Sequence, residues 1–507
     1  MVALFTVAAA EDDARGVLEL TVVHRVAPGK ETRLPFRIHL QGPDGKAVRA
    51  PGLPFFQDHF VADGAVRLEL APGSYRYSVE KGPEWSRATG QLEIASGKTA
   101  RRDVELKEIF PMAANGWWAG DVHVHRPLEE APLLLAAEDI YVAPIITVWN
   151  RQNPWAAKPL PEPLLARTAS GAFYHALACE DERQGGALLF FNLTKPLSLA
   201  GDGPELPSPV QHIAEALEQT GAWIDIEKPF WWDVPAWLAT GKVRSIGLAN
   251  NHMCRAQMYE DEAWGRPRDA GRLPAPRGNG FYSQEIYYHV LNCGFRIPPS
   301  AGSASGVLPN PVGYNRVYVH LDGPLTYEGW WQGLAAGRCF VTNGPLLDVR
   351  ANGRFPGSVL ALEEPLAEGI ALDVSVHSAD ELERVEVVQD GAVVESLAGS
   401  QLDRDDRGRI RVLPIATSRS GWFLVRAIAR VPETFRFAST APFYVEVAGK
   451  PARIRRESVQ FFLQWIDERI HRLEASKELK TDAERAAVIE PHRRARMKFE
   501  GLLERAE

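Results

Sequence analysis

Apolar and polar residues alternate at a period of two between residues 16 and 108. The stretches GVLELTVVHRV, LPFRIHLQGPDGKAV and VRLELAPGSYRYSVEKG show the alternation. Because successive side chains of a strand point to opposite faces, this pattern predicts half-buried β-strands. Turn signals separate the strands, at Pro43-Asp44-Gly45 and at Asp63-Gly64. We therefore predict an N-terminal β-sandwich over residues 15–110.

The pattern changes between residues 111 and 345, where short apolar runs alternate with amphipathic segments. DIYVAPIITVWN, AWIDIEK and VRSIGLANN are typical of buried strands, whereas SPVQHIAEALEQTG and VPAWLATGK are typical of helices. Alternation of strands and helices predicts a parallel α/β core. In such folds functional residues lie where strands end and loops begin.

Period-two alternation returns between residues 346 and 450, in LDVSVHSADELERVEVVQDGAVVESLAG and GWFLVRAIARV. It predicts a C-terminal β-sandwich with a hairpin turn at Asp390-Gly391. Residues 451–507 have a helical pattern, with apolar residues at spacings of three and four. These are Phe462, Trp465, Ile466, Ile470 and Leu473. We predict that these C-terminal helices pack back on the body of the protein.

Composition excludes several classes of function. A chain of 507 residues is too long for one core, and it predicts two to four domains. The net charge is -8, so a nucleic-acid partner is disfavoured. We find no apolar run of the roughly 18 residues that a membrane span needs. Four cysteines at 179, 254, 293 and 339 include no CxxC pair, which disfavours a thiolate zinc site.

The first residues, MVALFTVAAAEDD, are similar to the second half of a secretory signal peptide. An apolar stretch is followed by the small residues Ala8 to Ala10 and then by acids, but the charged leading region is absent. A first β-strand is the alternative. We predict a signal-peptide remnant over residues 1–14, and hence a periplasmic or extracellular protein.

The stretch GDVHVHRP contains the first candidate chemistry. His123 and His125 are two residues apart, so on a strand both imidazoles point to the same face. Imidazole suits zinc, and also iron, manganese and copper. An HxH pair is weak evidence alone, but Arg126-Pro127 indicates that the strand ends here, where sites are usually found.

NGWWAGDVHVHRP, followed by AEDIYVAPIITVWN, resembles the opening of PHP-type metallohydrolases, and most of all the CehA/McbA-like group. The resemblance covers residues 115 to 345. It implies a distorted (β/α) barrel that binds one to three metal ions, usually zinc, at the strand C-termini and hydrolyses ester-like bonds. His123 and His125 match the family's HxH, and Glu180 stands where the family has an acidic ligand.

Other ligand positions of the family are changed in this chain. Gly185-Gly186 stands where the family has Gly-His, and Glu227-Lys228 precedes Pro229 where the family has His-Pro. Ala304 and Gly306 replace an aspartate and a histidine in AGSASG. The resemblance therefore implies a reduced site for one divalent metal ion.

His252, in LANNHMC directly after a predicted strand, is the candidate for a third imidazole ligand. With His123, His125 and a carboxylate from Glu227 or Glu180, it would fill four positions around one ion or leave one of them open for water. Zinc held by three protein ligands and water is the usual catalytic arrangement, and such water is nucleophilic near neutral pH. The alternatives are a loop contact for His252, a salt bridge to Arg183 for Glu180, and pairing with Lys228 for Glu227.

Further residues have candidate roles around this ion. Asp121 could orient an imidazole or cap a turn, Lys228 and Arg126 could stabilise developing negative charge, and Glu180 or Glu182 could carry a proton. Nine of the 14 tryptophans lie between residues 117 and 264, which suggests an aromatic-lined cleft as well as core packing. The predicted substrate-binding residues are Trp149, Asn150, Asn192, Trp231, Trp232 and Asn251.

The sequence thus predicts an exported metal-dependent hydrolase acting on an ester-like, phosphoester or glycoside-type bond of a small molecule or saccharide. Zinc is the preferred ion, with iron, manganese or copper as alternatives. Two other hypotheses stay open. One is a metal-dependent lyase, glycosidase or redox enzyme on carbohydrate, and the other is a degenerate, non-catalytic carbohydrate-binding protein. Oligomeric state is left open.

Overall fold

The computed structural model describes residues 15–507 except 28, 202, 367, 404, 406 and 407. The predicted signal remnant, residues 1–14, lies outside the described residues. Two compact units are formed, one by the chain up to Glu108 with Ala136–Glu138, the other by Ile109–Leu135 with Asp139–Glu507. The second unit contains most of the predicted α/β region, residues 111–345. It also contains all of the predicted C-terminal sandwich, residues 346–450, and of the predicted helices, residues 451–507.

The described part of the first unit consists mainly of strands. They are β1 Gly16–Ala27, β2 Lys30–Arg33, β3 Pro35–Gln41, β4 Phe55–Phe56, β5 His59–Asp63, β6 Ala65–Leu70, β7 Gly73–Glu80, β8 Ala88–Ile94 and β9 Thr99–Glu105. One sheet is built around β1, which pairs with β2, β6 and β9; the other has the order β4-β5-β3-β7-β8. Both contribute to one core that includes Leu18, Phe36 and Phe60. This architecture is β-sandwich-like, as the period-two alternation predicted.

The second unit begins with alternating strands and helices. They are β10 Trp117–Gly120, α1 Ala131–Glu138 (whose last residues are counted with the first unit), β11 Val142–Trp149, β12 Leu165–Arg167, β13 Phe173–Arg183, β14 Gly186–Phe191, α2 Pro209–Leu217, β15 Trp223–Ile226, α3 Val234–Thr240, β16 Ser245–Ala249, α4 Gly278–Asn292, β17 Pro299–Ala301, β18 Arg316–His320, α5 Tyr327–Ala335 and β19 Cys339–Thr342. The central order is β17-β16-β15-β14-β13-β11-β10. Pairing is parallel except at β14, which is antiparallel to both neighbours. The exception arises because only two residues join β13 to β14, and a connection that short makes a hairpin.

Hydrogen bonds link the two ends of this series. The N–H of Val122 donates to Ala301 O (3.2 Å), and the N–H of His125 donates to Ser305 O (2.8 Å). On the other side of the same segment, the carbonyl oxygen of Val124 accepts a hydrogen bond from the N–H of Ile146 (2.8 Å). Residues 121–125 are therefore held between β11 and the chain after β17. The HxH pair lies where these backbone ladders end.

The rest of the second unit is a β-region followed by two helices. Its elements are β20 Leu346–Ala351, β21 Val359–Leu362, β22 Leu372–His377, β23 Leu382–Gln389, β24 Ala392–Ala398, β25 Arg409–Ile410, β26 Gly421–Ala429, β27 Phe437–Thr440, β28 Phe443–Val447, α6 Arg456–Glu474 and α7 Asp482–Glu504. The central ladder continues through β18 and β19 into β27, β26, β23 and β24, and a separate sheet has the order β20-β22-β25. The hairpin between β23 and β24 turns at Asp390-Gly391, both with positive φ, as predicted.

The apolar side of α6 is buried. Phe462, Trp465 and Ile466 have no solvent exposure, and α6 packs against α7 and α3. The described helices include none with the length and apolar character needed to cross a membrane.

Candidate metal centre

The two histidines of the HxH pair face one point, as two residues apart on an extended segment should. His123 Nε2 and His125 Nε2 are 3.0 Å apart. Gly302 lies directly against His123, because a Cβ at Gly302 would be 2.2 Å from the His123 Cβ. The glycine therefore allows the chain after β17 to approach the histidine.

Glu180, near the end of β13, completes a cluster with these histidines. Its Oε2 lies 3.0 Å from His125 Nε2 and 3.5 Å from His123 Nε2. The side chain is buried, and apart from these two imidazoles this oxygen has no hydrogen-bond partner among the described residues. Burial alone would raise the pKa of Glu180, but the charges of the two imidazoles outweigh it and lower that pKa.

The geometry of this cluster fits a divalent metal ion. In tetrahedral zinc sites the ligands lie about 2.0–2.2 Å from the metal, so neighbouring donor atoms are separated by about 3.3–3.6 Å. The observed separations of 3.0 to 3.5 Å are close to that value. A buried carboxylate oxygen without a hydrogen bond is costly unless it is paired or coordinates a metal. His123, His125 and Glu180 therefore form a candidate metal cluster.

Glu227, predicted as a possible ligand, lies behind His123 and is already saturated. Its two oxygens accept hydrogen bonds from Lys228 Nζ (2.5 and 2.6 Å), Trp231 Nε1 (2.8 Å) and Asn251 Nδ2 (2.7 Å). Its Oε1 also lies 3.5 Å from His123 Nδ1. A carboxylate at the far nitrogen orients a ligating imidazole and favours the proton on that nitrogen. This arrangement leaves His123 Nε2 available to an ion.

Asp121, predicted to orient an imidazole, contacts the backbone of His123 and not its ring. Its carboxylate accepts bonds from the N–H of His123 (3.0 Å), from the N–H and hydroxyl of Ser303 (3.0 and 2.5 Å), and from the N–H of Gly313 (2.7 Å). Burial raises its pKa. Asp121 thus fastens the HxH segment to the AGSASG segment.

His252 lines the same cavity but is not a member of the cluster. Among the described residues near this cavity, only His123, His125 and Glu180 have ligand atoms that all lie within 4.8 Å of one another. His252 Nδ1 donates to Asp261 O (3.2 Å), which leaves its Nε2 unprotonated in the neutral ring. Burial, together with the charge of Lys228, lowers the pKa of His252 well below its usual value. The ring is therefore neutral, with its lone pair at Nε2.

The cluster opens into a cavity of about 120 Å³. Trp149, Trp231 and Trp264 contribute to its lining, and Trp264 stacks on Trp231 with ring centroids 4.9 Å apart. Another part of the wall is apolar and consists of Ala304, Val307 and Leu308. The AGSASG segment thus faces the ion site without offering a ligand.

A larger cleft of about 410 Å³ adjoins this cavity and shares Trp149 and Glu182 with it. Glu182 accepts a bond from Trp149 Nε1 (3.2 Å), and its N–H donates to Asn150 Oδ1 (2.8 Å). Burial, together with the charge of Glu180, raises the pKa of Glu182 to about 7. Arg151 and Arg183 also line this cleft.

Three residues predicted for the site lie elsewhere. Arg126 pairs with Glu130 (2.6 Å) and does not line the cavity. Asn192 accepts a bond from the Tyr327 hydroxyl (2.6 Å). Trp232 lies beside α6, with the Arg472 guanidinium 4.5 Å from its ring centre. Each of the three follows or lies near the end of a strand, as the residues that line the cavity do. The direction of a side chain in such a loop depends on tertiary contacts and not on its position in the sequence.

Trp264 belongs to the group of nine tryptophans but was not among the predicted substrate-binding residues, and it lines the cavity. Its loop carries no strand or helix pattern that would place it, and its contact with Trp231 joins residues far apart in the chain. Most of the other tryptophans pack in the core; Trp117 and Trp237 are fully buried.

Comparisons with known proteins reveal no family. No family model matches the chain, and no curated protein matches it. Among solved structures, the minor pilin GBS52 of Streptococcus agalactiae is 21% identical over 19% of this chain and 46% of that one, with a TM-score of 0.17. The major pilin subunit BcpA of Bacillus cereus is 18% identical over 19% of this chain and 30% of that one, with a TM-score of 0.15. The β-glucuronidase of Parabacteroides merdae is 10% identical over 82% of this chain and 60% of that one, with a TM-score of 0.18. The chain spans less than half of either pilin, and likenesses this low carry no functional argument.

Proposed function

We propose that this protein is an exported metal-dependent hydrolase of the PHP type, related to the CehA/McbA-like group. Its substrate would be a small molecule or saccharide with an ester-like, phosphoester or glycoside-type bond. The observation that carries the proposal is the convergence of His123 Nε2, His125 Nε2 and the buried Glu180 Oε2 on one point.

The strand arrangement supports the same assignment. We infer that the strands from β10 to β17, linked end to end through Val122 and Ala301, are the distorted barrel of that family. The HxH pair and Glu180 both lie toward the ends of parallel strands, which is where barrel enzymes place their ligands. Zinc is our first choice of ion because the donors are two imidazoles and one carboxylate; iron, manganese and copper accept the same donors.

A bound divalent ion would supply a Lewis acid that polarises the scissile bond and activates water. The chain supplies the remaining functions. Glu227 orients His123 through Nδ1, and Lys228, held by Glu227, brings a positive charge to the cavity wall that stabilises developing negative charge. Glu182, held by Trp149, is placed to accept and return a proton at Oε2.

The adjoining cleft is the proposed substrate entrance. Its volume of about 410 Å³ falls within the roughly 300–1,000 Å³ of small-molecule sites. Trp149 and Asn150 offer an aromatic face and an amide where the cleft meets the ion cavity. Of the other predicted substrate contacts, Trp231 and Asn251 line the inner cavity.

Metal analysis tests the proposal directly. We expect His123→Ala and Glu180→Gln each to remove one equivalent of zinc from the purified protein, while the exposed His471→Ala leaves the metal content unchanged. A panel of 4-nitrophenyl esters, phosphodiesters and glycosides should then reveal turnover that a chelator abolishes and zinc restores. Retention of the full metal content in both site variants would refute the proposal.

One observation favours a non-catalytic alternative. Ala304, Val307 and Leu308 give the cavity an apolar wall in place of the aspartate and histidine that the family resemblance implies. A degenerate scaffold that binds carbohydrate would hold the ion, bind oligosaccharides and turn over no member of the panel. Saccharide binding measured calorimetrically beside the turnover assay separates the two functions.

A further inference from the structure

Two histidines of the first unit face each other across neighbouring strands. β3 pairs with β5 up to Ile38 and Phe60, so the next residues, His39 and His59, come opposite each other. Their ring centroids are 5.1 Å apart. Asp58 lies in the two-residue turn that joins β4 to β5.

The carboxylate of Asp58 bridges the two imidazoles. Nδ1 of His39 donates to Oδ2 of Asp58 (3.0 Å), and Nδ1 of His59 donates to Oδ1 (2.8 Å). One ligand atom from each of the three residues lies within 4.8 Å of the others. The donor set is thus two imidazoles and one carboxylate, delivered by β3, the turn and β5.

The burial of the three side chains is graded. The His59 side chain is 3% exposed, that of His39 13% and that of Asp58 60%. An ion held here would therefore be fixed by the strands on one side and open to water on the other. Open sites with three protein ligands are a common form of zinc site.

The local charge also suits a cation. Arg37, whose positive charge acts on His59, is paired with Glu80 and Glu138, each at 2.5 Å. The two glutamates offset the charge of Arg37, and the carboxylate of Asp58 faces the two imidazoles.

We propose that His39, Asp58 and His59 form a second metal site, selective for borderline divalent ions such as Zn²⁺, with at least one position open to solvent or to an external ligand. Binding through Nδ1 would require each neutral ring to carry its proton on Nε2, and it would tie the β4–β5 hairpin to β3. The site is independent of the proposed hydrolase function, because its residues and those of the His123 cluster belong to different compact units.

The test uses the full chain with the central cluster removed by His123→Ala and His125→Ala. Zinc alone is the probe, and stoichiometry and affinity are measured by equilibrium dialysis with elemental analysis. We expect about one equivalent to remain bound. Adding Asp58→Asn should weaken binding by at least the roughly 10- to 100-fold that loss of an outer-sphere partner costs. Asp63→Asn, which removes an exposed carboxylate at the end of β5, should leave the affinity unchanged.

Two results would overturn the inference: no zinc bound to the central-cluster variant, or equal affinities in the Asp58→Asn and Asp63→Asn backgrounds. If the central-cluster variant fails to fold, Asp58→Asn in the otherwise unchanged chain must lower the stoichiometry by one equivalent, and unchanged stoichiometry refutes the site. Failure of the hydrolase proposal is seen separately, as a zinc content that does not fall when His123 or Glu180 is replaced.

Discussion

Arg469 on α6 joins the two loops that form the walls of the proposed site, and its removal is the sharpest stability test that the fold offers. Its Nε donates to Asp233 Oδ1 (2.7 Å), and its two Nη atoms donate to Glu205 (3.1 and 2.6 Å). Asp233 follows Trp231 by two residues, and Glu205 follows Pro204 of the adjoining cleft. All three charged side chains are at least nine-tenths buried.

Arg469→Met would leave both carboxylates buried without this cation. Breaking a buried ion pair by removing one partner costs about 3–5 kcal/mol, because an uncompensated charge remains inside. Asp233 keeps a second partner, since His492 Nε2 lies 3.3 Å from its Oδ1. Glu205 loses both of its bonds to Arg469. We therefore expect the second unit to lose about 3–5 kcal/mol of unfolding free energy.

Urea unfolding followed by tryptophan fluorescence measures this loss, because Trp85 is the one tryptophan outside the second unit. Arg494→Met is the matched control. It removes a solvent-exposed i,i+4 pair with Glu490 on α7, and such pairs contribute about 0–1 kcal/mol. Restoring neutrality with Glu205→Gln in the Arg469→Met background should recover part of the stability. If Arg469→Met costs no more than Arg494→Met, the ionic link between α6 and the site walls is not what stabilises this region.

Three further predictions concern the centre itself. Glu227→Gln should weaken zinc binding by about 10- to 100-fold in a chelator competition, because it alters the partner of His123 Nδ1; unchanged affinity would contradict that role. Gly302→Ala should cost about 1–3 kcal/mol and displace the His123 imidazole, whereas Gly203→Ala, where nothing lies within 4 Å of the new methyl group, should be silent. Burial raises the pKa of Asp225 to about 7, above the value of about 3.9 in unfolded chains. The folded state therefore keeps the Asp225 proton to a higher pH than the unfolded state, and the free energy of unfolding falls as the pH rises between these two values. Asp225→Asn should flatten that pH dependence, and an unaltered slope in urea titrations from pH 4 to 8 would refute the protonated Asp225.

The C-terminal helix α6 also holds the loop that carries residues of the proposed site. Trp465 Nε1 donates to Trp232 O (3.1 Å), so α6 holds the loop after Glu227 through a neutral bond as well as through Arg469. The apolar face of α6 was predictable from its spacing. Its partner was not, because the contact joins residues more than 230 positions apart in the sequence.

The sequence alone was sufficient to predict local features whose cause is local. Period-two alternation predicted the β-sandwich-like first unit, since a strand with one buried face must alternate. The i,i+2 spacing of His123 and His125 placed both imidazoles on one face. Glu180 was added by the family resemblance, and the structure brings its carboxylate to the two histidines. The hairpin at Asp390-Gly391 follows from the same local chemistry.

Tertiary structure alone decided which polar residues complete the centre. Glu227 and Glu180 both end strands in the sequence. Lys228, Trp231 and Asn251 saturate Glu227, whereas Glu180 Oε2 faces only the two imidazoles. Arg126, Asn192 and Trp232 turn to partners outside the cavity. Sequence patterns report which face of an element is buried, because that depends on neighbours along the chain. They do not report which donor meets which acceptor, because those partners are brought together only when distant segments pack.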